Sequence, residues 1–495
     1  MKKIVRSITI LFVLILSELS LQTTIYDYAI INGRVIDPET GIDAIRNIGI
    51  LGDRIAILTK EDIRGNVIID ANKLVVSPGF IDPHVHGVTH EAHQYQIHDG
   101  VTTALELEGG IGFLDAWLES KEGKTIINYG ASVPHGTIRA LAMESFQAYL
   151  PQVNKVIEKE GYGSPNLDKL MINMGRAAYQ ALTEEEIARV NGLIDDELAK
   201  GALGIGVPVG YYPGSTHGEI FKVYAHAAKR GVPIFSHTRG FKMPGIQEAI
   251  SNATTTGASL HIVHANSLSL SEIDVTLSMV ASAQANGLDI TTEVYPYTAA
   301  STSLESAIFD DGWQELLGIS YGDIQWEATG ERLTKETFDK YRQEGGIVII
   351  HMMKPEWIER GLAHPVTMIG SDGMPYAPGA HPRTAGTFSR ILGKYVRDEQ
   401  VLDLPTAIKK MTLMPAQRLQ QIAPMMRHKG RLQVDADADI TIFDPATIKD
   451  KADFKRLAYS EGIHHVFVNG VHMLVDGELK EGAFPGRAVV SKYRD

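Results

Sequence analysis

The sequence predicts an α/β protein, a (β/α)8 barrel of the TIM type joined to a small β-sandwich domain built from both termini. Three observations predict it. Between about Phe80 and Met426, short apolar runs alternate with amphipathic stretches of helical period. The two ends share another texture, alternating apolar and polar residues between Gly/Asp turns. At 495 residues, the chain is also long enough for a barrel with an attachment.

The elements follow in chain order. "MKKIVRSITILFVLILSELSL" has a basic start and an apolar run from Ile8 to Leu16, the layout of an export signal and too short to span a bilayer. Residues 1–24 are therefore expected to be a signal peptide or N-terminal anchor, with export to a periplasm, although Glu18 stands where a cleavage site favours small residues. "YDYAIINGRVIDPETG", "NIGILGDRIAIL" and "NVIIDANKLVVSPG" read as strands and hairpins, giving a β-rich piece over 25–79. Its counterpart over 428–495 contains "GRLQVDADADITIFDP", "HHVFVNGVHMLVDGEL" and "EGAFPGRAVV".

The barrel is expected over 80–427. Its strands are "GFIDPHVH", "VTTALELE", "TIINYGASV", "GALGIGVP", "VPIFSHT", "ASLHIVHA", "LDITTEVYP" and "VTMIGSD". Stretches such as "TEEEIARVNGLIDDELAKG" and "LSEIDVTLSMVASAQANG" supply helices closed by Gly. "GGIVIIHMM" is a ninth candidate strand, and a doubly wound open sheet is the structural alternative.

Composition narrows the chemistry. A net charge of −13 argues against nucleic acid, whose recognition needs a basic face. The absence of cysteine excludes disulfides, thiol nucleophiles and thiolate metal ligands. Any metal must sit on His, Asp, Glu or a modified Lys.

The polar residues at strand ends suggest such a metal. His84 and His86 are two apart, so both side chains lie on one face of a strand, at the end where barrels place their chemistry. "VPIFSHT" brings His237, "LHIVHA" brings His264 and "VTMIGSD" brings Asp372, each a good ligand type ending its own strand. His261, three residues before His264, is expected on the opposite face, pointing outward. A second metal would need a bridging anion. The fourth strand, "GALGIGVP", has no lysine to carboxylate, whereas "ALELE" offers Glu106 and Glu108 on one face. Glu108, nearer the mouth, is preferred.

These strand-ending residues resemble the amidohydrolase superfamily of metal-dependent barrel hydrolases. Several stretches resemble its D-aminoacylase (N-acyl-D-amino-acid deacylase) group: "PGFIDPHVH", "DGVTTALE", "PHGTIRALAM", "GALGIGVPVGYYPG", "FSHTRG", "EVYPYTAAST", "IGSDGMPYAPGAHPRTAGTFSRILG" and "MTLMPAQRL". The chain departs from that group twice. "LELEGG" lacks the cysteine ligand usual after the second strand, and Glu108 is taken as its replacement. Asn266, in "VHANS", stands near the place of a lysine that helps hold the substrate carboxylate.

The resemblance implies hydrolysis of the amide of a small N-acyl amino acid, often of D configuration, to a free amino acid and a carboxylate, with one or two Zn2+ or other divalent ions. It implies that His237, His264 and Glu108 hold the principal ion, and that His84, His86 and Asp372 form a second site. Asp372 is the expected proton shuttle. Arg239, Arg383, Tyr297 and Ser301 are candidates to bind the substrate carboxylate, and Tyr212 and His135 to line the pocket. Cyclic-amide hydrolysis of the dihydroorotase or hydantoinase type and an isoaspartyl-dipeptidase-like activity are the alternatives. A non-catalytic binding barrel and a glycoside hydrolase are the rivals from other classes. The glycosidase needs two opposed carboxylates, which Glu106 and Glu108 on one strand face do not supply.

Overall fold

The computed structural model describes residues 24–494, so the leader expected over 1–24 lies outside the described residues except for Thr24. Among the described residues no helix is long and apolar enough to cross a membrane.

The eight expected barrel strands are present. They are Phe80–Asp82, Val101–Glu106, Asn128–Ala131 continued by Val133–Pro134, Ile205–Pro208, Ile234–His237, Leu260–Ile262, Ile290–Val294 and Thr367–Ile369. Each pairs in parallel with the next. The ring closes through a parallel bridge between Val85 and Gly373 and the bond from Asp372 N to the His84 carbonyl, 2.8 Å. Residues such as Ile205, Val207, Ile234, Leu260 and Ile262 are fully buried. These short apolar runs suit strands covered on both faces.

The helices begin and end where capping chemistry requires. Thr183 and Glu186 form a capping box at the start of Glu184–Ala199. Gly231 and Gly257, both at positive φ, close His217–Arg230 and Met243–Thr256. The ninth candidate strand is not part of the barrel. Ile347–Ile350 is instead the middle strand of a separate three-stranded antiparallel sheet inserted after the seventh barrel strand. Its apolar run satisfied the strand pattern, but that pattern does not say which sheet a strand joins.

The terminal pieces do combine, among the described residues as nine strands in one continuously hydrogen-bonded sheet. The long strand Ile25–Asp37 pairs with three partners and carries the sheet around its own core of Ile30, Val35, Ile48, Ile440 and Phe467. The expected sandwich is thus built from a single sheet. Its C-terminal limit also differs from the expected 495. Residues 487–489 run along the third barrel strand, with Val489 N donating to Tyr129 O at 2.7 Å. Inside the junction, Asn469 Nδ2 donates to Asn128 Oδ1 at 2.7 Å, and Lys429 Nζ lies 2.8 Å from Asp437 Oδ2. A polar network buried this way is stable because its members satisfy one another.

Candidate metal centre

At the C-terminal mouth of the barrel, five strand ends bring His84, His86, Glu108, His237, His264 and Asp372 together. Local chemistry explains their placement. Pro83 follows the first strand, and the Asp82 carboxylate accepts bonds from His84 N at 3.2 Å and Ser371 N at 2.9 Å. That one side chain fixes the first and eighth strand ends to each other. Burial pushes the Asp82 carboxyl up to about 7. His264 and Asp372 both have positive φ, +29° and +54°. Non-glycine residues held there cost free energy and persist where the surroundings over-determine them.

Glu108 is the centre of the arrangement. Its Oε2 lies 2.9 Å from His84 Nε2 and 3.2 Å from His86 Nε2. Its Oε1 lies 2.8 Å from His237 Nδ1 and 3.6 Å from His264 Nε2. One carboxylate therefore divides four imidazoles two by two. Asp372 Oδ1 joins the first pair, 3.3 Å from His86 Nε2 and 3.6 Å from His84 Nε2. Gly206, on the fourth strand, makes room for this loop, since a Cβ there would stand 2.2 Å from the Glu108 carbonyl oxygen. Glu106 faces the same way and lies 2.7 Å from His86 Nδ1, where it orients that ring from behind.

The electrostatics follow from burial and mutual contact. Burial alone would raise the Glu108 carboxyl, but its contacts with His237, His264, His84 and His86 hold it well below the usual range. Burial would lower His84, yet the charges of Glu293 and Asp372 and bonds to Glu108 and Glu293 carry it well above an ordinary imidazole. His237 stays low because burial outweighs the pull of Glu108. Asp372 is pushed up by burial, but Arg383, His84 and His264 bring it below the ordinary carboxylate value.

The donor set fits a divalent cation. His84, His86, Glu108 and Asp372 offer ligand atoms all within 4.8 Å of one another, and so do Glu108, His237 and His264. Nitrogen and carboxylate oxygen without thiolate is a ligand mix that zinc accepts. Carboxylates buried together in this way are costly unless positive charge is shared among them.

The expected substrate-binding residues divide. Arg383 reaches the cage, with Nη1 2.7 Å from Asp372 Oδ2 and its guanidinium 4.9 Å over the Tyr295 ring. Its Nη2 donates to the Ser301 carbonyl at 3.3 Å, while Arg383 Nε and Ser301 Oγ have no partner among the described residues. Tyr212 and His135 stack edge to face, their ring centres 6.4 Å apart, and His135 Nε2 lies 3.4 Å from Glu219 Oε1. Two others are not brought to the cage. Arg239 closes its fork on Glu248, at 2.9 Å, because the strand ends at His237 and the chain then turns. The Tyr297 hydroxyl donates to the Pro382 carbonyl at 3.3 Å, and its ring lies under Arg390. Asn266 is internal, its Nδ2 donating to the Tyr295 carbonyl at 3.2 Å.

His261 corrects the outward expectation. It is buried inside the barrel, its Nε2 3.0 Å from Glu293 Oε2 and its Nδ1 2.8 Å from Thr291 Oγ1. Strand parity failed because the chain leaves the strand after Ile262 and turns at His264. Glu293 itself was missed. It contacts both His84 Nδ1 and His261 Nε2, in space left by Gly370, whose Cβ would stand 2.6 Å from its Oε2. A carboxylate within the apolar run "LDITTEVYP" was the available signal. Tyr211 was also missed; its ring lies 4.9 Å from His237 and its hydroxyl 3.0 Å from Thr302 Oγ1.

The chain is similar to several known proteins along most of its length. The D-aminoacylase of Alcaligenes xylosoxydans xylosoxydans is 29% identical over 490 residues, 93% of this chain and 96% of its own. The N-acyl-D-glutamate deacylase of the same organism is 30% identical over 475 residues, 90% and 93% of the two chains. The structure of N-acyl-D-glutamate deacylase from Bordetella bronchiseptica, complexed with zinc and a phosphonate inhibitor, superposes with a TM-score of 0.77. It covers 94% of this chain and 100% of that one at 23% identity, a likeness of fold. The family model described as "Amidohydrolase family" matches residues 169–478, and with these full-length relatives it establishes that the chain belongs to the amidohydrolase family.

Proposed function

We propose that the protein is a zinc-dependent hydrolase of N-acyl amino acids, releasing a carboxylate and a free amino acid of D configuration. The observation that carries this reading is Glu108 dividing four histidines two by two, with Asp372 beside the first pair. The relatives named for D-aminoacylase and N-acyl-D-glutamate deacylase support the substrate class and its configuration.

His84, His86, Glu108, His237, His264 and Asp372 would hold one or two ions. A divalent ion held there would bring the pKa of water to about 7 and would polarise an amide carbonyl. Asp372 supplies the proton transfers. Held in its ionised form by Arg383, it takes a proton from the attacking water and gives it to the departing amide nitrogen. Arg383 Nε and Ser301 Oγ remain available to a carboxylate on the substrate, the former with the planar geometry that binds oxyanions. Tyr211 packs its ring against His237 at the edge of the cage.

The leader composition supports export, with the hydrolase acting outside the cytoplasm. The direct test of function is a screen of N-acetyl D- and L-amino acids with the zinc-loaded protein. Release of free D-amino acid is the expected result. Cleavage of hydantoins or dihydroorotate in place of acyl amino acids would overturn the assignment.

A further inference from the structure

The opposite end of the barrel holds a cavity of about 490 Å³ that does not adjoin the cage. It is formed where strands five to eight begin, by residues including Ser259, Asp289, Thr291 and Arg418, with Gln421 and Lys492 on its walls. Its volume is that of sites that take small organic ligands.

Its charge is unusual for this chain. The Arg418 side chain is only 3% exposed, and its one ionic contact among the described residues is Asp289 Oδ1, 2.8 Å from Nη1. Arg418 Nε and Nη2 have no hydrogen-bond partner among the described residues. A guanidinium buried with two unmade bonds carries a desolvation cost that an oxyanion would relieve. Lys492, which has no carboxylate partner among the described residues, adds a second positive group and leaves the lining with one more cation than anion. A net-positive cavity in a protein of net charge −13 is a local departure that selects anions.

We infer that this floor cavity is a second binding site, taking a small oxyanion on Arg418 with Lys492 at its edge. The shared chemistry is a compact anion with two or more acceptor oxygens, satisfied by either a carboxylate or inorganic phosphate. The site is separate from the metal centre in ligand and in residues. A chain of contacts nevertheless runs between the two, in which Thr291 of the cavity wall bonds His261, His261 bonds Glu293 and Glu293 contacts His84.

The test is calorimetric titration of the full-length, zinc-loaded protein with sodium phosphate and, separately, with sodium acetate. Two binding events for at least one anion are expected. Arg418→Gln should weaken one of them at least tenfold and leave the other, together with turnover, unchanged. Gln421→Trp, at an exposed wall position, should block the same event without removing a buried charge, so a folding defect in the arginine variant does not decide the matter. An Arg418-dependent event seen with phosphate alone identifies a phosphate site, and one seen with acetate identifies a carboxylate site. A single event for both anions, or two events insensitive to both variants, would overturn the inference.

Discussion

Glu293 gives the sharpest perturbation of the metal centre, because it touches no expected ligand atom and yet determines one. Its carboxylate contacts His84 Nδ1 on one side and lies 3.0 Å from His261 Nε2 on the other, with all three side chains buried. A proton on His84 Nδ1 donated to Glu293 leaves the Nε2 lone pair facing Glu108 and the cage. Such outer partners of ligating histidines typically contribute 10- to 100-fold in metal affinity. Replacing Glu293 with Leu orphans two buried ring nitrogens, at about 1–3 kcal/mol each, or about 2–6 kcal/mol of stability.

Glu293→Gln separates shape from charge. The amide oxygen can accept from His84 Nδ1 while the amide nitrogen donates to His261 Nε2. His261 then keeps its proton on Nδ1 and donates to Thr291 Oγ1, 2.8 Å away. The Gln variant is therefore expected to lose less than about 2 kcal/mol of stability while still losing roughly tenfold in zinc affinity. Denaturant unfolding with and without zinc measures the first quantity, and competition with a chromophoric chelator the second. A Leu variant as stable as the wild type with unchanged zinc affinity would refute the reasoning, since the two rings would then be held by something other than Glu293.

Other outcomes follow from the same geometry. Asp372→Asn should fold and lose about 10²–10⁴-fold in turnover, checked by amino-acid release. Stripping zinc with a chelator should lower the unfolding midpoint, by about 4 kcal/mol of stability for ions that had been present at a thousand times their Kd. His93 is buried with both ring nitrogens unpartnered among the described residues, and burial, then the charges of Lys121 and His90, push its pKa down to about 3. Its folded pKa is below the unfolded value, so the unfolded chain takes up the proton first. Stability should fall as pH drops from about 6.5 toward 3, by a contribution on the order of 5 kcal/mol, and His93→Phe should flatten that limb in acid-unfolding curves. Arg383→Lys keeps a positive charge but loses the planar fork, and should raise KM for acyl amino acids more than it lowers kcat.

The barrel was legible because each strand is a compact apolar run and because its chemistry sits at strand ends. His237, ending Ile234–His237, needed only that rule. Failures arose where a side chain's direction depended on how far a strand continued. Arg239 would share the face of His237 only if the strand ran on, but Thr238 Oγ1 donates to the Gly240 carbonyl at 2.7 Å and the chain turns away. His261 was misplaced for the converse reason, its strand ending before His264. Glu293 and the floor cavity depend on residues from different strands and a late helix meeting inside the barrel, which periodicity along one segment does not encode.

The proposed role of Glu108 as the shared ligand needs neither a cysteine nor a carboxylated lysine. A bridging group must present two acceptors in different directions and stay ionised when buried. Glu108 does both, since Oε2 serves the His84–His86 pair, Oε1 serves His237 and His264, and the four imidazoles hold its carboxyl well below its usual range. A thiolate would concentrate that charge on one atom, and a lysine would need room on the fourth strand. At Gly206 of that strand, even a Cβ would press against the Glu108 carbonyl oxygen at 2.2 Å. The glycine and the glutamate are thus two parts of one solution, and enlarging the first would displace the second.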